Sequence, residues 1–117
     1  MIPRLGAMFR TDRAIGELPE AARSLERLGY DELWVVEDCF AYGGLTAAAT
    51  ALARTQRLAV GVGLLPATVR NPAIAAMELA TLASLYPGRL RAVVGHGVES
   101  WMRQIGARPR DRLVVLR

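Results

Sequence analysis

One histidine, one cysteine and a short run of acids are the residues here whose types and positions suit chemistry. His96 stands between Gly95 and Gly97 directly after an apolar run, and Glu37, Asp38 and Cys39 follow another such run, Leu33–Val36. Imidazole and carboxylate groups are the usual proton carriers near neutral pH. His96 reads in two ways: as a ligand contact at a strand end, or as a side chain bonded to backbone. Glu37 and Asp38 are equally open, either a solvated loop that caps the next helix or strand-end acids facing a ligand. Cys39 has no histidine near it in sequence and reads as a small half-buried residue rather than a nucleophile. With a single histidine, the chain by itself cannot build a histidine-based metal site. Walker loops, zinc-ligand spacings and Ser/His/Asp groupings are absent from the sequence. Gly61-Val62-Gly63 lacks the third glycine and helix start of a dinucleotide fingerprint, so it is weak support for that fold.

These residues need elements to position them, and the clearest lie in Arg57–Gly97. Leu58–Leu65 is apolar on both faces, as a parallel strand covered on both sides must be. Asn71-Pro72 supplies an N-cap and a first-turn proline, and Pro87-Gly88 a stop. Between them a helix over Ala73–Tyr86 carries an apolar stripe of Ile74, Met77, Leu79, Leu82 and Leu85. A second strand, Arg89–Val94, runs into Gly95-His96-Gly97. The unit is strand, helix, strand, and both strands end in glycine-containing loops at one edge, where α/β folds place ligands.

The rest repeats this alternation. Arg4–Phe9 suits a first strand, and a helix from Leu18 to about Leu28 turns Leu18, Ala21 or Ala22, Leu25 and Leu28 to the core. Arg23, Glu26 and Arg27 fall on its solvent side, and Gly29 suits the position after the helix. Leu33–Val36 is the second strand, and Leu45–Arg54 a small-residue helix. Val98–Ile105 reads as a short helix whose Trp101 and Met102 fill the core more readily than they touch a cofactor. Ala107–Arg117 reads as a frayed strand, a helix stub or a disordered end. The order predicts a parallel α/β sheet with right-handed crossovers.

Composition narrows the class. The chain has 117 residues, 52% of them hydrophobic, and its fifteen basic residues are all arginine against eleven acids, for a net charge of +4. The arginines are scattered and aromatic residues scarce, so nucleic-acid binding is not expected. The lone cysteine excludes an internal disulfide framework and fits a reducing, cytoplasmic setting. MIPRLGAMFRTDR lacks the apolar core of a secretory signal, and no apolar run reaches the roughly 20 residues of a membrane span. A soluble protein without membrane partners is expected.

The segment WVVEDCF, the block RNPA…AMELATL…PGR and the following GHG…WMRQIG resemble the bacterial luciferase-like monooxygenases, especially the branch associated with the deazaflavin coenzyme F420. The resemblance covers about residues 4 to 109. It implies a (β/α)8 TIM barrel, of which these residues form about four units, a half barrel. It divides the chain into barrel sequence over 1–109 and a divergent tail over 110–117. It implies coenzyme F420 or flavin mononucleotide (FMN) at the carboxyl end of the barrel, with hydride transfer to, or monooxygenation of, a small organic substrate. Matched to the family pattern, Asp38 and Cys39 fall beside the cofactor ring, with cysteine where the family often has histidine. Gly63-Leu64 falls where many deazaflavin-dependent members carry a non-proline cis peptide under the ring. Gly95 and His96 fall on the pocket wall at the fourth strand, and Arg70 lies in a matching loop, where helix capping is an equal reading. The family's cofactor phosphate sits on loops of later strands, beyond these four units. The alternative is a non-enzymatic fragment that self-associates through open sheet edges as a homo-oligomer.

Overall fold

Local signals place the elements within a residue or two of expectation. The computed structural model describes residues 1–116; Arg117, the last residue of the expected tail, lies outside them. Strands β1 (Gly6–Met8), β2 (Glu32–Val35), β3 (Ala59–Pro66) and β4 (Leu90–Gly95) alternate with helices α1 (Leu18–Arg27), α2 (Gly44–Ala53), α3 (Pro72–Leu85) and α4 (Glu99–Gln104). A single 3-10 turn, Ile15–Glu17, precedes α1. The stop signals act as read: Asn71 accepts from the Ala73 N–H at 2.9 Å, and Gly29 takes φ +84° just past α1. The tail takes the helix-stub form, α5 (Arg112–Val115), capped by Asp111 on the Leu113 N–H at 2.9 Å.

All strand pairs are parallel and the sheet order is β1-β2-β3-β4. Each new strand joins the same side of the sheet, as in a (β/α) barrel; a doubly wound fold would reverse its order part-way. Register runs Gly6↔Glu32↔Ala59 and then Val60↔Leu90, with a shift between Gly63 and Leu65.

The core lies between the sheet's outer face and the helices. Leu33, Val35, Leu58, Val60, Val62 and Leu65 meet Leu18 and Ala22 of α1 and Leu45, Ala48, Ala51 and Leu52 of α2. The small side chains of α2 let its axis approach the sheet closely. Each fully buried leucine or valine contributes about 1.5–3 kcal/mol relative to exposure. On the inner face one large side chain covers the glycines of β3. The Trp34 indole lies over Gly61 and Gly63, and a Cβ added at Gly61 would stand 2.4 Å from Trp34 Cε3. The Gly61-Val62-Gly63 pattern is therefore a seat for tryptophan, not a nucleotide fingerprint. The indole N–H donates to Glu32 Oε2 at 3.0 Å.

Two surface expectations need correction. Leu28 is exposed at the end of α1, and of the α3 stripe only Leu82 is buried, with Leu79 packed against the core. Ile74, Met77 and Leu85 are 49%, 64% and 64% exposed. The physical reason is the sheet's edge: Val93 and Val94 of β4 are exposed too, and among the described residues no further strand–helix unit packs on that side.

Glu26, expected on the solvent side, instead closes the amino end of β3. Its carboxylate accepts from the N–H groups of Gln56, Arg57 and Leu58 at 2.6–3.1 Å. Partial burial pushes its carboxyl up, but these three donors, with the Arg57 charge, outweigh that and hold it below the usual carboxylate range. Beside it, Arg89 donates to Leu58 O, Leu52 O and the buried Thr55 hydroxyl at 3.0, 3.2 and 2.7 Å, and its guanidinium lies over the Tyr86 ring. No helix among the described residues is long and apolar enough to cross a membrane.

Candidate active site

At the carboxyl end of the strands the loops after β2, β3 and β4 converge. The β2–α2 loop is held at three points. The Tyr42 hydroxyl donates to Phe9 O at the end of β1 at 3.0 Å, and the two rings meet edge to face at 6.1 Å. Burial pushes the Tyr42 phenol up, so it stays a donor. The Ala41 N–H closes a turn onto Asp38 O at 3.1 Å, which leaves Phe40 at φ +72° and 71% exposed. Glu37 accepts from the Gly44 N–H at 3.2 Å and takes a two-pronged ion pair from Arg70 at 2.6 and 2.7 Å.

Glu37 therefore does both things its position allowed. It caps the start of α2, and with Asp38 it lines a cavity of about 450 Å³, whose wall also includes Gly63, Leu64, His96, Val98 and Trp101. That volume lies within the range of small-molecule and cofactor sites. The Gly63–Leu64 peptide bond is cis, at the position the family resemblance implied. Gly63 leaves bare backbone on the wall, because its inner side is occupied by the Trp34 indole, 3.3 Å from where a Cβ would stand.

Of the six expected residues, the structure gathers Asp38, Gly63, Leu64 and His96 around one cavity. Cys39 sits half-buried in the adjoining turn. Gly95 backs the wall from behind, since a Cβ there would stand 2.7 Å from Leu64 Cδ2. Gly97, at φ +71°, makes the tight exit from β4 and passes 3.0 Å from Pro66 Cβ by the same measure. The Trp101–Met102 pair divides: Met102 is core, 1% exposed, while Trp101 faces the cavity. His96 Nδ1 is buried and has no hydrogen-bond partner. Buried polar atoms are nearly always paired, which makes this one an exception among the residues around the cavity. Arg70 is not a helix cap; Asn71 holds that role, and Arg70 joins Glu37 and Glu78 instead. The hydrogen bonds it donates to Glu37 push its guanidinium still further up.

Sequence reading missed two contributors, Trp34 and the Glu37–Arg70 pair. A tryptophan directly opposite Gly61 in the neighbouring strand was the available signal for the first. The second left none, because its partners are 33 residues apart.

Comparison with known proteins agrees with this architecture. Among curated relatives, 4-hydroxyprotoasukamycin monooxygenase of Streptomyces nodosus is 35% identical over 120 residues, covering 91% of this chain and 32% of the relative. F420-dependent glucose-6-phosphate dehydrogenase of Segniliparus rotundus is 42% identical over 91 residues, covering 69% of this chain and 27% of the relative. The chain thus spans about a third or less of the relatives it matches. Among solved structures, the FMN complex of the oxygenating constituent of 3,6-diketocamphane monooxygenase, from Pseudomonas putida, superposes with TM-score 0.84 at 17% identity, over 98% of this chain and 36% of that one. An F420-dependent secondary alcohol dehydrogenase holding an F420–acetone adduct gives 0.77 at 26% identity, over 93% and 36%. These neighbours are TIM barrels, and this chain matches about a third of each. A model of the luciferase-like monooxygenases matches residues 2–117, and with the half-barrel fold this places the chain within the luciferase-like monooxygenase family.

Proposed function

We propose that the rim cavity receives the ring of FMN or of coenzyme F420, as part of an oxidoreductase acting on a small organic substrate. The observation that carries this reading is the meeting of His96, whose buried Nδ1 has no partner, with Asp38 and the bare Gly63 backbone around one cavity. Either cofactor, when bound, supplies the hydride or the electrons for oxygen chemistry. The chain's own residues do the rest. Gly63 and Leu64 present flat backbone to the ring, His96 offers its free nitrogen to a polar ring atom, and Asp38 holds or moves a proton at its carboxylate. Val98 and Trp101 keep water off that side. Cys39 and Gly95 act on the ring indirectly, through the turn and through Leu64. Absence of disulfide chemistry suits work in a reducing cytoplasm.

Titration with FMN and with F420, followed by quenching of tryptophan emission, tests the proposal. Saturable micromolar binding of either is expected; no saturation at millimolar cofactor overturns it.

A second reading, self-association of an inactive chain, is favoured by the apolar residues at the sheet edges. Met8 of β1 and Val93 and Val94 of β4 are 60%, 45% and 53% exposed, and such edges recruit further strands. Sedimentation separates the two: polydisperse assembly without cofactor binding supports this reading, and a defined species that binds cofactor excludes it.

A further inference from the structure

We propose that the Glu37–Arg70 pair is a positioning clamp that sets the cavity's two walls against each other; this rests on the cofactor reading above. Glu37 stands one residue before Asp38 on the loop after β2, and Arg70 stands on the loop after β3, downstream of Gly63, Leu64 and Pro66. The pair spans 33 residues and ties these loops with two parallel hydrogen bonds of 2.6 and 2.7 Å. A forked arginine–carboxylate contact fixes orientation as well as distance, which a lysine's point charge does not.

The clamp continues on both sides. Glu37 also accepts the Gly44 N–H, one of the donors left free at the start of α2. Gly44 has no room for a side chain there, since a Cβ would stand 3.0 Å from Glu37 Cβ and 2.9 Å from Val62 Cγ1. Arg70 Nε reaches Glu78 of α3 at 3.1 Å. A continuous polar chain therefore runs from α2 through both rim loops to α3.

Its shielding sets it apart. The side chains of Arg70 and Glu37 are 22% and 14% exposed, whereas every other ion pair among the described residues has a partner more than 40% exposed. Exposed pairs hold little geometry, but a shielded fork holds its loops in one arrangement. Glu37 lines the cavity while Arg70 lies outside its lining, so Arg70 acts on the cavity through Glu37.

Arg70→Lys and Arg70→Met test this in the full chain. Lysine keeps the charge and loses the fork; methionine loses both. Melting temperature, affinity for FMN and F420, and the imidazole signals of His96, the one histidine in the chain, are read together. The expected result for Arg70→Lys is an unchanged melting temperature, displaced His96 signals without ligand, and cofactor binding weakened about tenfold, the scale of a misplaced binding wall. Arg70→Met is expected to bind more weakly still. If Arg70→Lys keeps wild-type affinity and His96 signals, or if binding falls only as the folded fraction falls, the clamp is overturned. If the wild type binds neither cofactor, the cofactor reading fails by itself. The ligand-free His96 signals then decide the clamp: displaced in Arg70→Lys they support it, unmoved they refute it.

Discussion

The two ends of the same four-stranded sheet are built on opposite terms. At the amino end, polar groups are answered by protein. Glu26 takes three backbone N–H groups, Arg89 satisfies two carbonyls and the Thr55 hydroxyl, and Asp31 accepts the Leu5 N–H at 2.7 Å. At the carboxyl end, His96 Nδ1 is buried without a partner, and Phe40 holds an exposed aromatic at positive φ. Side chains other than glycine lose about 1–2 kcal/mol in that backbone region. One end stores stability and the other forgoes some of it. In parallel barrels this is the division between the face that holds the fold and the face that holds the chemistry.

Substitutions at the two ends should therefore separate stability from binding. The largest effect is expected from Arg89→Ala, which removes the charged donor to Leu58 O, Leu52 O and the Thr55 hydroxyl together with the packing on Tyr86. A loss of about 3 kcal/mol is expected, seen as a lower urea midpoint with an unchanged slope. Glu26→Ala should cost about 2 kcal/mol by leaving three N–H groups without their charged acceptor. Because the folded carboxyl titrates below its unfolded value, Glu26's contribution is complete above the unfolded value of about 4.3. It fades as pH falls through the lower folded value. Glu26→Gln should accordingly flatten the acid arm of a stability–pH curve; an unaltered arm would remove Glu26 from the account.

At the other end, His96→Ala should leave the urea midpoint near wild type while weakening cofactor binding about tenfold, about 1.4 kcal/mol. Equal losses in stability and binding would erase the contrast between the ends. The smallest effect is expected from Phe40→Gly. It relieves the positive φ and should raise stability by about 0.5 kcal/mol, after the entropic cost of glycine in the unfolded chain. A loss on the same assay would show that Phe40 packs in a way its exposure hides.

The sequence made the elements legible because their signals are local. Asn71-Pro72, Pro87-Gly88 and Gly29 each act within a turn of where they stand. The wall residues Asp38, Gly63, Leu64 and His96 were reachable because strand ends in a parallel sheet share one edge. Long-range choices were not legible. Glu26 has the helical position of a solvent-facing acid, and its donors lie some 30 residues on. Gly61 and Gly63 look like a loop motif until Trp34 is laid across them. The apolar stripe of α3 has helical spacing, but spacing says nothing of whether a partner stands opposite, and for Ile74, Met77 and Leu85 none does among the described residues. Arg70 and Glu37 are each ordinary in their own loops; only folding makes them one device.

The tryptophan seated on Gly61 and Gly63 has an optical consequence. The chain has two tryptophans, Trp34 lying on the sheet's inner face and Trp101 on the cavity wall. They divide the emission between them: Trp101 reports on whatever enters the cavity, and Trp34 on whether the sheet's inner face is wet or covered. A Trp101→Phe variant isolates the second signal, so that filling of the site and closing of the interior can be watched separately, in one cuvette, without a label.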